Sequence, residues 1–138
     1  MNSMYADSNK KNAARFAPVL YLKNVAEGIA FYKKAFDAIE LRKWSNDNGS
    51  VHVAEMMIGD AMFHMHEEVS GKMQMSPQTL SGTSITLGVF VDNPDEVIAK
   101  AIAAGATEIH PPQDFDYGYR QGDIADPFGH GWTFQKAI

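Results

Sequence analysis

The sequence of 138 residues contains no cysteine. That absence excludes disulfide bonds, thiolate catalysis and zinc sites built from cysteine, so a metal ion would need histidine, carboxylate or methionine ligands. The chain also lacks an apolar run long enough to span a bilayer, and no basic block accompanies its net charge of −5. We therefore expect neither a membrane nor a nucleic acid as partner, and we predict a small-molecule partner.

The composition is typical of a globular protein, with 45% hydrophobic and 21% charged residues. The length suits one structural domain. Residues 1–15 are polar and carry three basic side chains without an apolar central segment. This pattern differs from that of a secretion signal, so we predict a flexible polar tail on a cytoplasmic protein.

Three of the five histidines lie in the segment Val51–Glu68. Apolar and β-branched residues flank the pair Gly59-Asp60, which is a typical two-residue hairpin turn, so the segment is predicted to form two antiparallel strands. Because side chains alternate across a strand, His64 and His66 should share one face with Met62. One face of the predicted sheet therefore gathers imidazole and thioether groups.

The pattern of apolar residues predicts the element order β-α-β-β-β in each half of the chain. Before the hairpin come a strand at Phe16–Leu22, a helix at Val25–Phe36 and a strand at Ala38–Ser45. In the second half the strands are predicted at Ser84–Asp92, Ala106–His110, Tyr119–Asp126 and Gly131–Lys136, with a helix from Pro94 to Ala104. The prolines at 111 and 112 should end the strand that precedes them.

The two halves correspond at a nearly constant offset, with Asp37 opposite Gly105 and Glu40 opposite Glu108. This correspondence indicates an internal duplication. We predict an α+β fold in which two tandem βαβββ modules, residues 16–68 and 84–138, form a curved mixed sheet around a concave pocket. Residues 69–83 are the linker, the helices lie outside, and the whole is one structural domain.

Five segments of the chain carry a resemblance to a known family. They are Pro18–Leu22, Ile29–Phe36, His52–Asp60, Ala103–Ala106 and Asp126–Trp132. Together they resemble the glyoxalase/bleomycin-resistance/dioxygenase family, also called the vicinal oxygen chelate superfamily, and within it the PhnB-like group. The resemblance extends from about Phe16 to Lys136 and implies paired βαβββ modules, a homodimer and a cavity for a metal-bound substrate.

In metal-dependent members the ligands come from the first and fourth strands of each module. The resemblance places those positions at Ala17, His64, Thr86 and Thr133. Only His64 among them has a side chain suited to a catalytic divalent metal, which needs three or four nitrogen or oxygen ligands. We therefore expect no metal and no other cofactor, with a divalent metal at His64 as the alternative.

Two residues are candidates for acid–base catalysis. His64 could act as a base in a pocket because histidine titrates near neutral pH, and Glu55 could do so if burial raised its pKa. On a regular strand His52 would point away from Glu55, and a bulge would reverse that. Glu55 could instead form an ion pair across the sheet, with Arg42, Lys43 or Arg120.

Six further residues are candidates for binding a ligand. They are Trp44, Met62, His66, Tyr117, Tyr119 and Arg120. The aromatic side chains could stack on a planar molecule, and the arginine could bind an anionic group through two hydrogen bonds. The alternative for these residues is packing within the sheet and an ion pair on the surface.

Two functions of different class follow. The first is a protein that binds a small aromatic or amphipathic molecule in the concave pocket without the usual metal, as drug-binding members of the family do. The second is a metal-dependent lyase, isomerase or dioxygenase of the vicinal oxygen chelate type that uses His64.

Overall fold

The computed structural model describes residues 13–138, so the part of the predicted tail at residues 1–12 lies outside the described residues. The first βαβββ module consists of β1 Val19–Leu22, α1 Val25–Phe36, β2 Ile39–Ser45, β3 Val51–Ile58 and β4 Ala61–Glu67. The second consists of β5 Thr86–Phe90, α3 Pro94–Ala104, β6 Thr107–Asp114, β7 Tyr119–Ala125 and β8 Gly131–Ala137. A short helix, α2 Pro77–Leu80, lies in the linker between them.

Each module forms a mixed four-stranded sheet. The strand orders are β1-β4-β3-β2 and β5-β8-β7-β6, and the first strand of each module is parallel to its last. One face of each sheet packs on the helix of its own module, and α1 also packs against α3. The duplicated βαβββ arrangement with outer helices is therefore confirmed. We call the sheet faces away from the helices the first and second open faces.

Alternation places the histidines of β4 as predicted. Phe63 and Met65 are buried among the core residues under α1, whereas Met62, His64 and His66 are only partly buried. These three side chains therefore lie on the first open face. The hairpin turn at Gly59 has φ of +53°, which is the left-handed conformation that glycine adopts at little cost and that primed turns require.

The helices begin and end where the sequence indicates. The side-chain oxygen of Asn24 accepts a hydrogen bond from the backbone N–H of Glu27, 3.1 Å away, at the start of α1, as an N-cap should. At the two helix ends the corresponding residues Asp37 and Gly105 both have positive φ, 54° and 124°. The duplication inferred from sequence thus extends to the backbone conformation that ends each helix.

A buried carboxylate joins the two modules. Asp126 in the β7–β8 turn accepts hydrogen bonds from Tyr32 Oη at 2.5 Å and Trp132 Nε1 at 2.9 Å, and from the backbone N–H groups of Phe128 and His130. Burial raises the pKa of Tyr32 well above its usual range, and the negative charge of Asp126 adds to the effect. The phenol therefore stays protonated as a donor. Burial also lowers the pKa of His130.

Three predicted strands have wrong boundaries. Strand β5 is Thr86–Phe90 rather than Ser84–Asp92. Strand β6 does not end at His110 but continues to Asp114, through Pro111 and Pro112. It can do so because β6 is the edge of its sheet and its register with β7 shifts between His110 and Gln113, so the prolines interrupt no regular ladder. Strand β1 begins at Val19 rather than Phe16, because Phe16 lies outside the sheet with 97% of its surface exposed.

Within residues 13–138, no helix is long and apolar enough to cross a membrane.

Candidate functional site

The first open face contains a buried carboxylate beside a histidine. Glu55 on β3 lies directly opposite His64 on β4 and opposite Arg42 on β2, and only 9% of its side chain is exposed. Its Oε1 accepts a hydrogen bond from Arg42 Nε at 2.7 Å, and its Oε2 lies 3.4 Å from Arg42 Nη2 and 3.7 Å from His64 Nε2. The two candidate catalytic residues are therefore neighbours.

This geometry favours an ionised Glu55. The arginine charge compensates the burial of the carboxylate, and the guanidinium carbon of Arg42 lies 4.9 Å from the ring centroid of Trp44, within the range of a cation–π contact. The ion pair with Arg42 named as an alternative from the sequence is therefore present. The distance from His64 Nε2 to Glu55 is too long for a hydrogen bond, but it allows an electrostatic interaction.

The same face carries a pair of neighbouring histidines, His52 and His66. The consecutive residues Trp44 and Ser45 on β2 pair with Val53 and Val51 on β3. His52 lies between these two valines and is therefore the extra residue of a bulge. The bulge brings the His52 ring to 4.6 Å from the His66 ring, centroid to centroid. His52 thus lies beside His66 on this face, but it contacts Glu67 and His66 rather than Glu55.

The second open face carries a row of aromatic side chains. The ring centroids of Phe90 and Tyr119 are 5.5 Å apart, those of Tyr119 and Tyr117 are 6.1 Å apart, and those of Tyr117 and Phe115 are 5.1 Å apart. We call these four residues the aromatic row. Tyr117 also donates a hydrogen bond to Gln121. The structure thus brings together the two tyrosines predicted from sequence and adds Phe90 and Phe115.

A polar cluster continues the second open face. Asp123 accepts a hydrogen bond from Thr133 Oγ1 at 2.5 Å and another from His110 Nδ1 at 2.8 Å. Sequence reasoning missed this cluster because the bulge in β6 decides the direction of His110. The only sequence signal was the alternation that puts Asp123 and Gln121 on one face of β7.

Arg120 does not join the tyrosines. Since it follows Tyr119 on β7, it points to the helix side of the sheet, where its Nε and Nη2 donate to the two carboxylate oxygens of Asp95, each at 2.7 Å. Its Nη1 also donates to Asp114 at 3.0 Å. The hydrogen bond from Arg120 lowers the pKa of Asp95. Arg120 is thus held by two carboxylates on the outside of the fold, away from both open faces.

A cleft of about 950 Å³ lies between the two modules. The β3–β4 turn and the residues before β1 line one side, and the edge strand β5 lines the other. Of the predicted site residues, Met62 alone lines the cleft. Phe90 also lines it, so the aromatic row begins at the cleft. The remaining lining side chains are mostly apolar, among them Phe16, Pro18, Ile58, Ile85, Leu87 and Val89.

The four positions that the family resemblance implies for metal ligands do not fit a catalytic ion. Ala17 has no donor atom, and the Thr133 hydroxyl donates its hydrogen to Asp123. Thr86 offers a neutral hydroxyl, which is a weak ligand, so His64 remains as one imidazole. Among the residues that the structure describes, no three His, Asp or Glu side chains converge as a metal would require.

Comparison with known proteins agrees with this architecture. The profile of the Glyoxalase/Bleomycin resistance protein/Dioxygenase superfamily matches residues 15–134. An uncharacterized protein of Mycobacterium bovis is 34% identical over 125 residues, which are 88% of this chain and 82% of that protein. The chain therefore belongs to the glyoxalase/bleomycin resistance protein/dioxygenase superfamily.

Solved structures share the fold. TioX from Micromonospora sp. ML1 superimposes with a TM-score of 0.73 at 21% identity, covering 91% of this chain and all of that one. A glyoxalase/bleomycin resistance protein/dioxygenase family enzyme from Burkholderia phytofirmans superimposes with a TM-score of 0.67 at 19% identity, covering 87% and 95%. At this level of identity the likeness shows the fold alone. The chemistry has to be inferred from the residues of this chain.

Proposed function

We propose that this protein binds a small planar aromatic or amphipathic molecule where the cleft meets the aromatic row, without the metal that other members of the superfamily use. The observation that carries the proposal is the position of Phe90. It lines the cleft and contacts Tyr119, and 63% of its surface is exposed. An exposed phenylalanine at the mouth of an apolar cleft is suited to stack on a ligand.

The size and lining of the cleft support this class of ligand. Drug-sized molecules occupy pockets of about 300–1,000 Å³ that are lined mainly by apolar side chains with a few polar groups. The volume of about 950 Å³ lies in that range. Met62 and Phe90 supply apolar surface, and Thr86, Asp60 and Asp92 supply polar groups at the margin.

The polar groups of the first open face would orient the ligand. His64 lies two residues beyond Met62 on the same strand face, about 7 Å along β4, so a ligand in the cleft could extend toward it. There His64 would act as donor or acceptor, with Glu55 beside it held by Arg42. Trp44 and His66 lie farther along the same face. A metal-dependent activity at His64 remains the alternative. Glu55 Oε2 lies 3.7 Å from His64 Nε2, but the described residues contain no group of three His, Asp or Glu side chains that could hold a metal.

The open faces also suggest how the site is closed. Both remain exposed in the single chain, and exposed apolar residues such as Phe90, Tyr117 and Trp44 lie on them. We infer that two copies pair as a homodimer, so that open faces enclose the ligand and shield it from water. A cytoplasmic location accompanies this proposal as a prediction from the sequence.

Titration with the planar fluorescent molecule 1-aminoanthracene tests the proposal. We expect saturable binding to the wild-type protein and a rise in Kd of roughly tenfold for Phe90→Ala, since truncating a central aromatic contact costs on the order of 1–2 kcal/mol. The matched control is Ile102→Ala, which removes a partly exposed apolar side chain on α3. Equal Kd values for Phe90→Ala and the wild type would contradict the proposed site.

A further inference from the structure

His52 and His66 form a pair on the first open face that does not line the cleft. The pair depends on the bulge in β3, which turns His52 toward the first open face. The two rings are 4.6 Å apart between centroids, at an interplanar angle of 67°. The other side of the His66 ring packs on Tyr21, with centroids 5.2 Å apart.

A single residue orients both imidazoles. His52 Nδ1 donates to the Glu67 carboxylate oxygen Oε1 at 2.8 Å, and His66 Nδ1 donates to the Glu67 backbone carbonyl at 2.9 Å. Asn46 Nδ2 donates to the same Oε1 at 3.0 Å and holds the carboxylate in place. The hydrogen bond from His52, followed by that from Asn46, lowers the pKa of Glu67, so the carboxylate is a charged acceptor at neutral pH.

These hydrogen bonds place the ring hydrogen of each histidine on Nδ1 and leave Nε2 without one. In a neutral imidazole whose Nδ1 carries the hydrogen, Nε2 has a free lone pair. Histidines that bind metals commonly donate their other ring N–H to a carboxylate or a backbone carbonyl, which sets the tautomer and raises the basicity of the ligand. His52 has the first arrangement and His66 has the second. The two acceptors that metal-binding histidines commonly use, a carboxylate and a backbone carbonyl, are thus both present at this pair of rings.

The separation of the rings is also suitable. With metal–nitrogen bonds of about 2.0–2.1 Å, two imidazoles on adjacent positions of one ion have centroids roughly 4.5–5.5 Å apart. The observed 4.6 Å lies within that range. The side chain of His52 is 39% exposed, so an ion can reach the pair from solvent.

We propose that His52 and His66 bind a divalent transition-metal ion through their Nε2 atoms, with copper(II) bound most tightly. Imidazole nitrogen is a suitable ligand for copper, nickel and zinc. Along the series of first-row divalent metal ions, the affinity of such sites increases as far as copper and is lower for zinc. Because the described residues provide no third converging His, Asp or Glu ligand, the remaining positions stay open to water or to a chelating molecule on the open face. This pair is distinct from the four positions that hold the metal in relatives.

Calorimetric titration with copper(II) chloride, in a buffer that does not bind metals, tests the site. We expect one equivalent to bind the wild-type protein, a loss of at least tenfold in affinity for His52→Gln and for His66→Gln, and a loss of about tenfold for Glu67→Gln, which removes the orienting carboxylate. His110→Gln is the matched control because it removes an exposed histidine that also donates to a carboxylate. It should bind copper as the wild type does.

A measurement on the wild-type protein makes the test independent of the folding of variants. Copper(II) is paramagnetic, so it should broaden the ring-proton signals of His52 and His66 at substoichiometric concentration and leave those of His110 sharp. Broadening of His64 first, with loss of binding in His64→Gln and unchanged binding in His52→Gln, would overturn the assignment. Absence of binding to the wild type would overturn it as well.

Discussion

At the scale of single residues, Asp126 explains how the two modules share a core. Its carboxylate accepts hydrogen bonds from Tyr32 of α1 and from Trp132 of β8. The two rings pack on each other and on Phe36, Phe63 and Phe134. Aspartate, proline and glycine favour tight turns, which accounts for the turn around Asp126. Its side chain has the further effect of linking elements far apart in the chain, which turn chemistry alone does not predict.

Replacing Tyr32 by phenylalanine should lower the free energy of unfolding by about 1.5–3 kcal/mol, the usual worth of a hydrogen bond to a charged group. Asp126→Asn should cost more, because an amide nitrogen would face two buried donors. Urea unfolding measures both changes, and Asp47→Asn in the exposed β2–β3 turn is the control. An Asp126→Asn variant as stable as the control would show that the hydrogen bonds do not hold the modules together.

At the scale of elements, local sequence accounts for the helices and the hairpins. Asn24 caps α1 and Gly59 turns the β3–β4 hairpin, since each depends on a few neighbouring residues. The irregular strands were not predictable in the same way. The bulge at His52 and the path of β6 through Pro111 are set by pairing with neighbouring strands, which are distant in sequence.

The path of β6 gives a test of its own. A Cβ atom on Gly122 would lie 2.9 Å from the backbone nitrogen of Pro112 and 3.1 Å from the carbonyl oxygen of His110. Because backbone atoms cannot move aside as a flexible side chain can, Gly122→Ala should lower the free energy of unfolding by about 1–3 kcal/mol. Gly82→Ala is the matched control, since nothing lies within 4 Å of its added carbon.

Urea unfolding of the two glycine variants supplies the comparison. A Gly122→Ala protein no less stable than Gly82→Ala would mean that β6 does not approach β7 as closely as described.

At the scale of the whole molecule, the duplication was visible in the sequence. The positions of the site residues could be predicted only in part. Alternation correctly placed Met62, His64 and His66 on one face, because a regular strand allows only two directions. It could not show that Arg120 is held by Asp95, because that contact depends on how α3 packs. The cleft likewise depends on the relative placement of two modules, and short-range patterns carry no information about it.

The central claim is that one ligand site spans the cleft and the aromatic row. It is tested most directly by mapping backbone amide signals during titration of labelled protein with 1-aminoanthracene. The account predicts the largest shift changes in Thr86–Phe90, with further changes at Met62 and in Tyr117–Gln121, and little change along α3. Changes confined to other regions, or no saturable change at all, would contradict the claim.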